Sequence, residues 1–128
     1  MERYMIYIPA KGVCRLIQCN GDGTLTLTEM QTLVDGPIEV TPSCLGVTWA
    51  REPVDCINVI VNEEGRLRGL PLNGQASDLW IGGGICLLMG DALLAAAKGE
   101  DLIGFSKPVC KTICDEWSLK MEDGVWTD

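Results

Sequence analysis

The residues whose types and spacing come nearest to a chemical motif lie between positions 18 and 29, where the chain reads Gln-Cys-Asn-Gly-Asp-Gly-Thr-Leu-Thr-Leu-Thr-Glu. Read as a calcium loop of the EF-hand kind, Asn20, Asp22, Gly23, Leu25 and Glu29 fall at the third, fifth, sixth, eighth and twelfth places. Those places need oxygen ligands, a glycine turn and a closing carboxylate. The first place, however, holds Gln18 instead of Asp, and the stretch before it carries Pro9, Gly12 and β-branched residues that make a poor entering helix. A strand, a Gly-Asp-Gly turn and a capped helix need the same letters, and that is the reading adopted. No metal or cofactor is expected; Asn20, Asp22 and Glu29 are the residues that would ligate an ion.

Other chemistry is trimmed by what is missing. The chain has no His, which removes Ser-His-Asp and Cys-His nucleophilic sites and every His-based metal triad. Seven Cys are present, an odd number with no Cys-x-x-Cys pair, and Cys110 and Cys114 are spaced like one face of a helix. Buried reduced thiols are expected, not a disulfide scaffold or a zinc site. The run Gly82-Gly83-Gly84 lacks the Lys-Ser/Thr of a phosphate loop. Glu39, Glu63, Glu64 and Asp91 could supply an acid and a base, but Glu63 and Glu64 fall in a turn where nothing shifts a carboxylate. The balance leans against an enzyme.

A formal charge of −8 with ten scattered Lys and Arg argues against direct binding of nucleic-acid phosphates, which needs clustered cations. No apolar run reaches the ~20 residues that span a bilayer, and the N-terminal stretch lacks a signal-peptide pattern, so the expectation is a soluble cytoplasmic protein. At 128 residues, 47% of them hydrophobic, the chain is expected to form a single α+β domain over residues 1–121 with a polar tail over 122–128.

The elements that must position these residues follow from hydrophobic period and turn chemistry. Strands are expected over 4–8 and 13–19, then a turn at Asn20-Gly-Asp-Gly23. Thr26 and Glu29 form a capping box for a helix whose buried stripe is Leu27, Met30, Leu33 and Val34, stopped by Gly36 and Pro37. Residues 38–41 form a short strand and 42–53 a loop with Cys44, Trp49 and Arg51. The apolar run 56–62 is the strongest strand, central in the sheet. Asn62-Glu-Glu-Gly65 then turns the chain into a strand at 66–70, a hairpin that sets Arg66 and Arg68 on one face. A helical turn is expected around Ser77 and a buried strand over 85–89. Asp91 caps a short helix through Ala97, stopped by Gly99, or, nearly as well, residues 92–95 are extended; a last helix starting at Ser106-Lys-Pro108 carries Cys110, Ile113, Cys114, Trp117 and Met121 on its inner face. Trp126 is the tail residue able to pack back. The sum is an α+β fold: a mixed, mostly antiparallel sheet of about five to seven short strands with two main helices.

Taken in order, the capped helix ending Val34-Asp-Gly36, then Pro37-Ile-Glu-Val-Thr-Pro42, the buried strand ending Asn62-Glu-Glu-Gly65-Arg-Leu, Gly69-Leu-Pro-Leu-Asn73 and the closing Gly90-Asp91 resemble the domain of unknown function 3846 family, over residues 4–115. The resemblance implies a bacterial or phage protein, often carried on mobile elements, with a compact α+β fold and no established activity. Two function classes follow. One is a non-catalytic interaction or regulatory module, its partner another protein, with homo-oligomers allowed. It would use Asn62, Glu63, Glu64 and Arg66 of the hairpin turn, the Asn73 loop, and Trp49 or Trp80 if exposed. The alternative is a carboxylate-dependent enzyme or divalent-metal-binding protein using the acidic loops.

Overall fold

The computed structural model describes residues 2–80 and 87–126. Strands β1 (Tyr4–Ile8), β2 (Arg15–Gln18), β3 (Ile38–Pro42), β4 (Cys56–Asn62), β5 (Ala92–Lys98) and β6 (Asp101–Ile103) make one antiparallel sheet. Its order is β2-β1-β5-β4-β3, with β6 paired to the end of β5. Helices α1 (Leu27–Val34), α2 (Gly74–Leu79) and α3 (Lys107–Glu116), with a 3-10 turn at Val47–Ala50, complete the expected α+β architecture.

Strand alternation decides which face each helix covers. Met5, Ile60, Leu93 and Ala95 point to one side and pack with Met30 of α1. Their neighbours Ile6, Ile8, Val59, Val61, Ala92 and Leu94 point to the other and pack with Ala76 and Leu79 of α2 and Val109, Cys110 and Ile113 of α3. Each fully buried Ile or Leu in these clusters contributes roughly 1.5–3 kcal/mol of transfer free energy. The capping box is formed as expected: Glu29 N–H donates to Thr26 Oγ1 at 3.1 Å, and Glu29 Oε1 accepts from Thr26 N–H at 2.9 Å. Trp126 does pack back against the core, with Lys111 Nζ 5.5 Å above its ring.

One alternative is decided and several expectations are corrected. Residues 92–98 take the extended of the two readings; Asp91 caps no helix and instead accepts from Tyr7 Oη at 2.7 Å and Ala10 N–H at 2.9 Å. Alanine's helix preference is a weak prior. It is overridden because β5 is paired on both edges, by β1 and β4, which makes it the central strand of the sheet. Residues 66–70 form successive turns, not the second strand of a hairpin. The reason is topological: β4 is already paired along one edge by β3, from Asn62↔Ile38, and along the other by β5, so no edge remains for a hairpin partner. Leu27 does not belong to the buried stripe and is 55% exposed, while Met30 and Val34 are buried. Trp117 caps α3 half-exposed and Met121 lies beyond the helix, bridging to Cys14. Of the strand expected over 85–89, Ile85 and Cys86 lie outside the described residues, as does the Gly82-Gly83-Gly84 run; Leu87 and Leu88 are irregular, and Met89 makes a single bridge to Leu72. Among the described residues no helix is long and apolar enough to cross a membrane.

Thiol burial is mixed. Cys14, Cys19, Cys110 and Cys114 are buried and unpaired, but Cys44 and Cys56 are exposed because each sits where its segment meets solvent, in the loop after β3 and at the first residue of β4. Burial pushes Cys14 and Cys19 up to about 11 and Cys114 to about 12, and raises Cys110 further.

Candidate functional site

The turn that leaves β4 is built around Asn62, which is 3% exposed. Its Nδ2 donates to the carbonyls of Val34 and Asp35 at 3.1 and 2.9 Å, closing the C-terminus of α1, and its Oδ1 accepts from Glu64 N–H at 2.7 Å. Beyond it the backbone coils on itself. Gly65 N–H donates to Asn62 O, Arg68 N–H to Glu64 O, Gly69 N–H to Arg66 O and Leu70 N–H to Gly65 O, all within 2.8–3.1 Å. Two guanidinium groups tie the coil down: Arg66 Nη2 donates to Leu87 O at 2.6 Å, and Arg68 donates to the Asp35 carbonyl and pairs with its carboxylate at 3.0 Å. Gly65 is required by space, since a Cβ there would lie 2.8 Å from Met89 O.

Under this coil is a cavity of about 80 Å³ lined by Glu39, Asn62, Glu63, Arg66, Leu87 and the surrounding backbone. Three of the residues singled out in the sequence, Asn62, Glu63 and Arg66, therefore meet at one place, with Glu64 exposed beside them. Glu39, the acid-base candidate from β3, joins them because its register partner is Val61, also on the cavity wall. The volume is well below the ~300 Å³ at which pockets begin to enclose small organic ligands. It suits a few waters or the tip of one side chain.

The other candidates are placed elsewhere. Asn73 is 1% exposed and wholly committed: Nδ2 donates to Ile8 O at 2.7 Å and Gly90 O at 2.9 Å, and Oδ1 caps α2 by accepting from Ala76 N–H at 3.0 Å. Asn62 and Asn73 are thus interior braces, since both are buried and both N–H groups of each amide are spent on internal carbonyls. Trp49 is partly buried and meets Trp117 edge to face at 6.4 Å. Trp80 is partly buried against the same core and bridges to Ser43.

Around Asn20, Asp22 and Glu29 the oxygens serve the turn. Asp22 Oδ1 accepts from Thr24 Oγ1 at 2.8 Å and its N–H at 3.0 Å, which holds the Asp22 carboxyl below its usual range. Glu29 is lowered likewise by the Thr26 N–H and by Asn20 Nδ2, 2.9 Å away. The segment before them is β2, so no helix enters the loop. Among the described residues no group of three His, Cys, Asp or Glu side chains is arranged to hold a metal ion. Tyr7, half-buried with Arg15 4.8 Å above its ring, is pushed up to about 12 by burial and by its hydrogen bond to Asp91, which makes it a poor proton donor or acceptor near neutrality.

Sequence reading missed the apolar rim of the coil. Leu67 is 86% exposed on the coil, and Leu72 and Leu87, in the segments that follow it, are exposed at 48% and 42%. In a strand, Leu67 would have pointed opposite Arg66 and Arg68; the coil instead holds it out into water. The signal that could have revealed this is the paired glycines, Gly65 and Gly69, four residues apart, the second at φ +65°.

The model of a domain of unknown function, DUF3846, matches residues 2–118. No curated protein and no solved structure matches the chain.

Proposed function

The chain belongs to the DUF3846 family, and from that premise we propose that it is a small acidic accessory protein of bacterial or phage mobile-element type, acting in the cytoplasm as a non-catalytic module that binds another protein through the coil at residues 63–72. The observation that carries this reading is Leu67. A large apolar side chain left 86% exposed on a segment already held by backbone bonds and two arginine ties costs little backbone ordering when a partner covers it. Pre-organised apolar anchors ringed by polar groups are the usual centre of a protein contact. Leu72 and Leu87 extend the apolar area, while Glu63, Glu64 and Arg66 form the polar rim.

The test is recovery of the tagged protein from its own host, with native mass spectra of what elutes, comparing the natural chain with Leu67→Asp. A stoichiometric protein partner that is lost in Leu67→Asp, with the fold intact by circular dichroism, supports the proposal. A partner retained in full by Leu67→Asp refutes the coil as the contact. A bound small molecule or ion in place of a protein moves the reading to the carboxylate or metal alternative.

A further inference from the structure

The second surface to consider is the outer edge of β2, remote in the sheet from the coil. Cys19 N–H donates to Arg3 O, so the odd residues of β2 face β1 through their backbone and the even ones face outward. Cys14 shows this directly: its N–H donates to Lys120 O and its carbonyl accepts from Glu122 N–H, so the tail pairs with the start of the edge. The tail then forms turns over residues 123–126. Among the described residues the outward N–H and C=O of Leu16 and Gln18 have no protein partner. The strand carries no Pro and no bulge to blunt its edge, and its four residues limit the exposed ladder to two outward positions.

On the α1 side, beside this edge, lies a groove of about 310 Å³ whose apolar wall is Ile17, Leu25 and Leu33, rimmed by Thr28, Thr32 and Glu29. Charge is arranged end to end. Arg15, at the start of β2 and on the α1 side, pairs with no carboxylate among the described residues; Glu29, beyond the other end of β2 and on the same side, pairs with no cation.

We propose that a second copy of this chain docks on the edge, β2 against β2 in antiparallel register about a two-fold axis at Ile17. Leu16 of each copy then exchanges both backbone hydrogen bonds with Gln18 of the other, and Ile17 meets its symmetry mate across the α1-side groove. Antiparallel reversal also carries Arg15 of each copy toward the Glu29 end of the other. That complementarity selects the second copy as occupant, because the positive and negative ends of one edge match only when the edge is turned round on itself.

Sedimentation equilibrium of the full chain is expected to give about twice 13.9 kDa. Leu16→Pro deletes an outward N–H without touching the ladder to β1 and is expected to weaken the dimer by at least about tenfold. Ile17→Cys, in a Cys44→Ser, Cys56→Ser background, is expected to cross-link through position 17 on mild oxidation. Opposed residues of a non-hydrogen-bonded pair lie about 4.5 Å apart at Cα, within disulfide reach. Gln18→Cys, which faces Leu16, is expected not to. A chain that stays monomeric at millimolar concentration overturns the proposal, as does a dimer in which position 17 fails to cross-link; the latter result stands even if Leu16→Pro does not fold. Neither outcome depends on Leu67, so this proposal and the partner-binding one fail separately.

Discussion

Arg3 and Glu52 meet fork to fork: Nη1 lies 2.7 Å from Oε1 and Nη2 2.7 Å from Oε2, with about three quarters of each side chain shielded from water. Arg3 Nη1 also donates to Gly104 O at 2.9 Å. The pair fastens the residue before β1 and the turn after β6, already bridged at Tyr4 and Phe105, to the long loop after β3. The bidentate geometry and the partner carboxylate raise the Arg3 guanidinium above its ordinary value. Arg3→Met is expected to lower stability by about 1–3 kcal/mol, read from the urea midpoint, and Glu52→Gln by less, because an amide still accepts one of the two bonds.

Asn73 satisfies three buried backbone groups and Asn62 one buried and two part-buried ones, so truncation strands three groups at once. Asn62→Ala and Asn73→Ala are each expected to cost about 2–4 kcal/mol in chemical denaturation, well above a typical surface substitution. Asp substitutions should be as damaging, since a carboxylate cannot donate to the carbonyls that Nδ2 serves. Gly65→Ala is expected to destabilise as well and to displace the coil, seen as amide shift changes at Leu67 and Leu87.

Thiol reactivity should follow exposure. At neutral pH an alkylating reagent is expected to label Cys44 and Cys56 quickly, and Cys14, Cys19, Cys110 and Cys114 only at the rate of unfolding, as mapped by peptide mass. The same burial predicts alkaline sensitivity. The folded-state values of Cys14 and Cys19 are raised, so their contribution is complete below the ordinary thiol value of 9.0 and is lost as pH rises toward about 11. Cys14→Ala should flatten the fall of thermal midpoint across that window, whatever it does to stability at neutrality.

Glu29 behaves oppositely. Its folded value is depressed by the Thr26 and Asn20 donors, so its stabilisation is present above the ordinary carboxylate value of 4.5 and disappears as pH falls through the lower folded value. Glu29→Ala is expected to show a shallower acid limb of the melting profile, and helix α1 to fray. Calcium or magnesium at millimolar concentration should leave the thermal midpoint of the natural chain unmoved. A rise that Glu29→Ala abolishes would restore the ion-binding reading.

Much of the frame was legible in the chain. The near-continuous apolar run at 56–62 and the Thr26-Glu29 box carry local physics strong enough to stand alone. Residues 92–97 did not announce themselves, because a row of alanines suits a helix by propensity and a crowded central strand by size, and only the neighbours β1 and β4 decide between them. The coil at 63–70 was misread for the same reason: whether a turn opens into a hairpin depends on whether an edge is vacant, and occupancy of an edge is settled by β3 and β5, tens of residues away. The candidate site inherited this asymmetry. Glu63 and Arg66 were found by type, Leu67 was not, since its exposure is a property of the coil rather than of leucine.

The strand order β2-β1-β5-β4-β3 has a consequence for synthesis. The first two strands can pair as soon as they emerge from the ribosome, and so can β3 with β4, but the two pairs share no ladder until β5 arrives between them. A nascent chain of ninety residues therefore carries two half-sheets, each with an apolar edge waiting for the same strand. Closure comes late and over long sequence separations, which places folding among the slower small domains and makes the interval before residue 98 clears the tunnel the time when this protein most needs a chaperone.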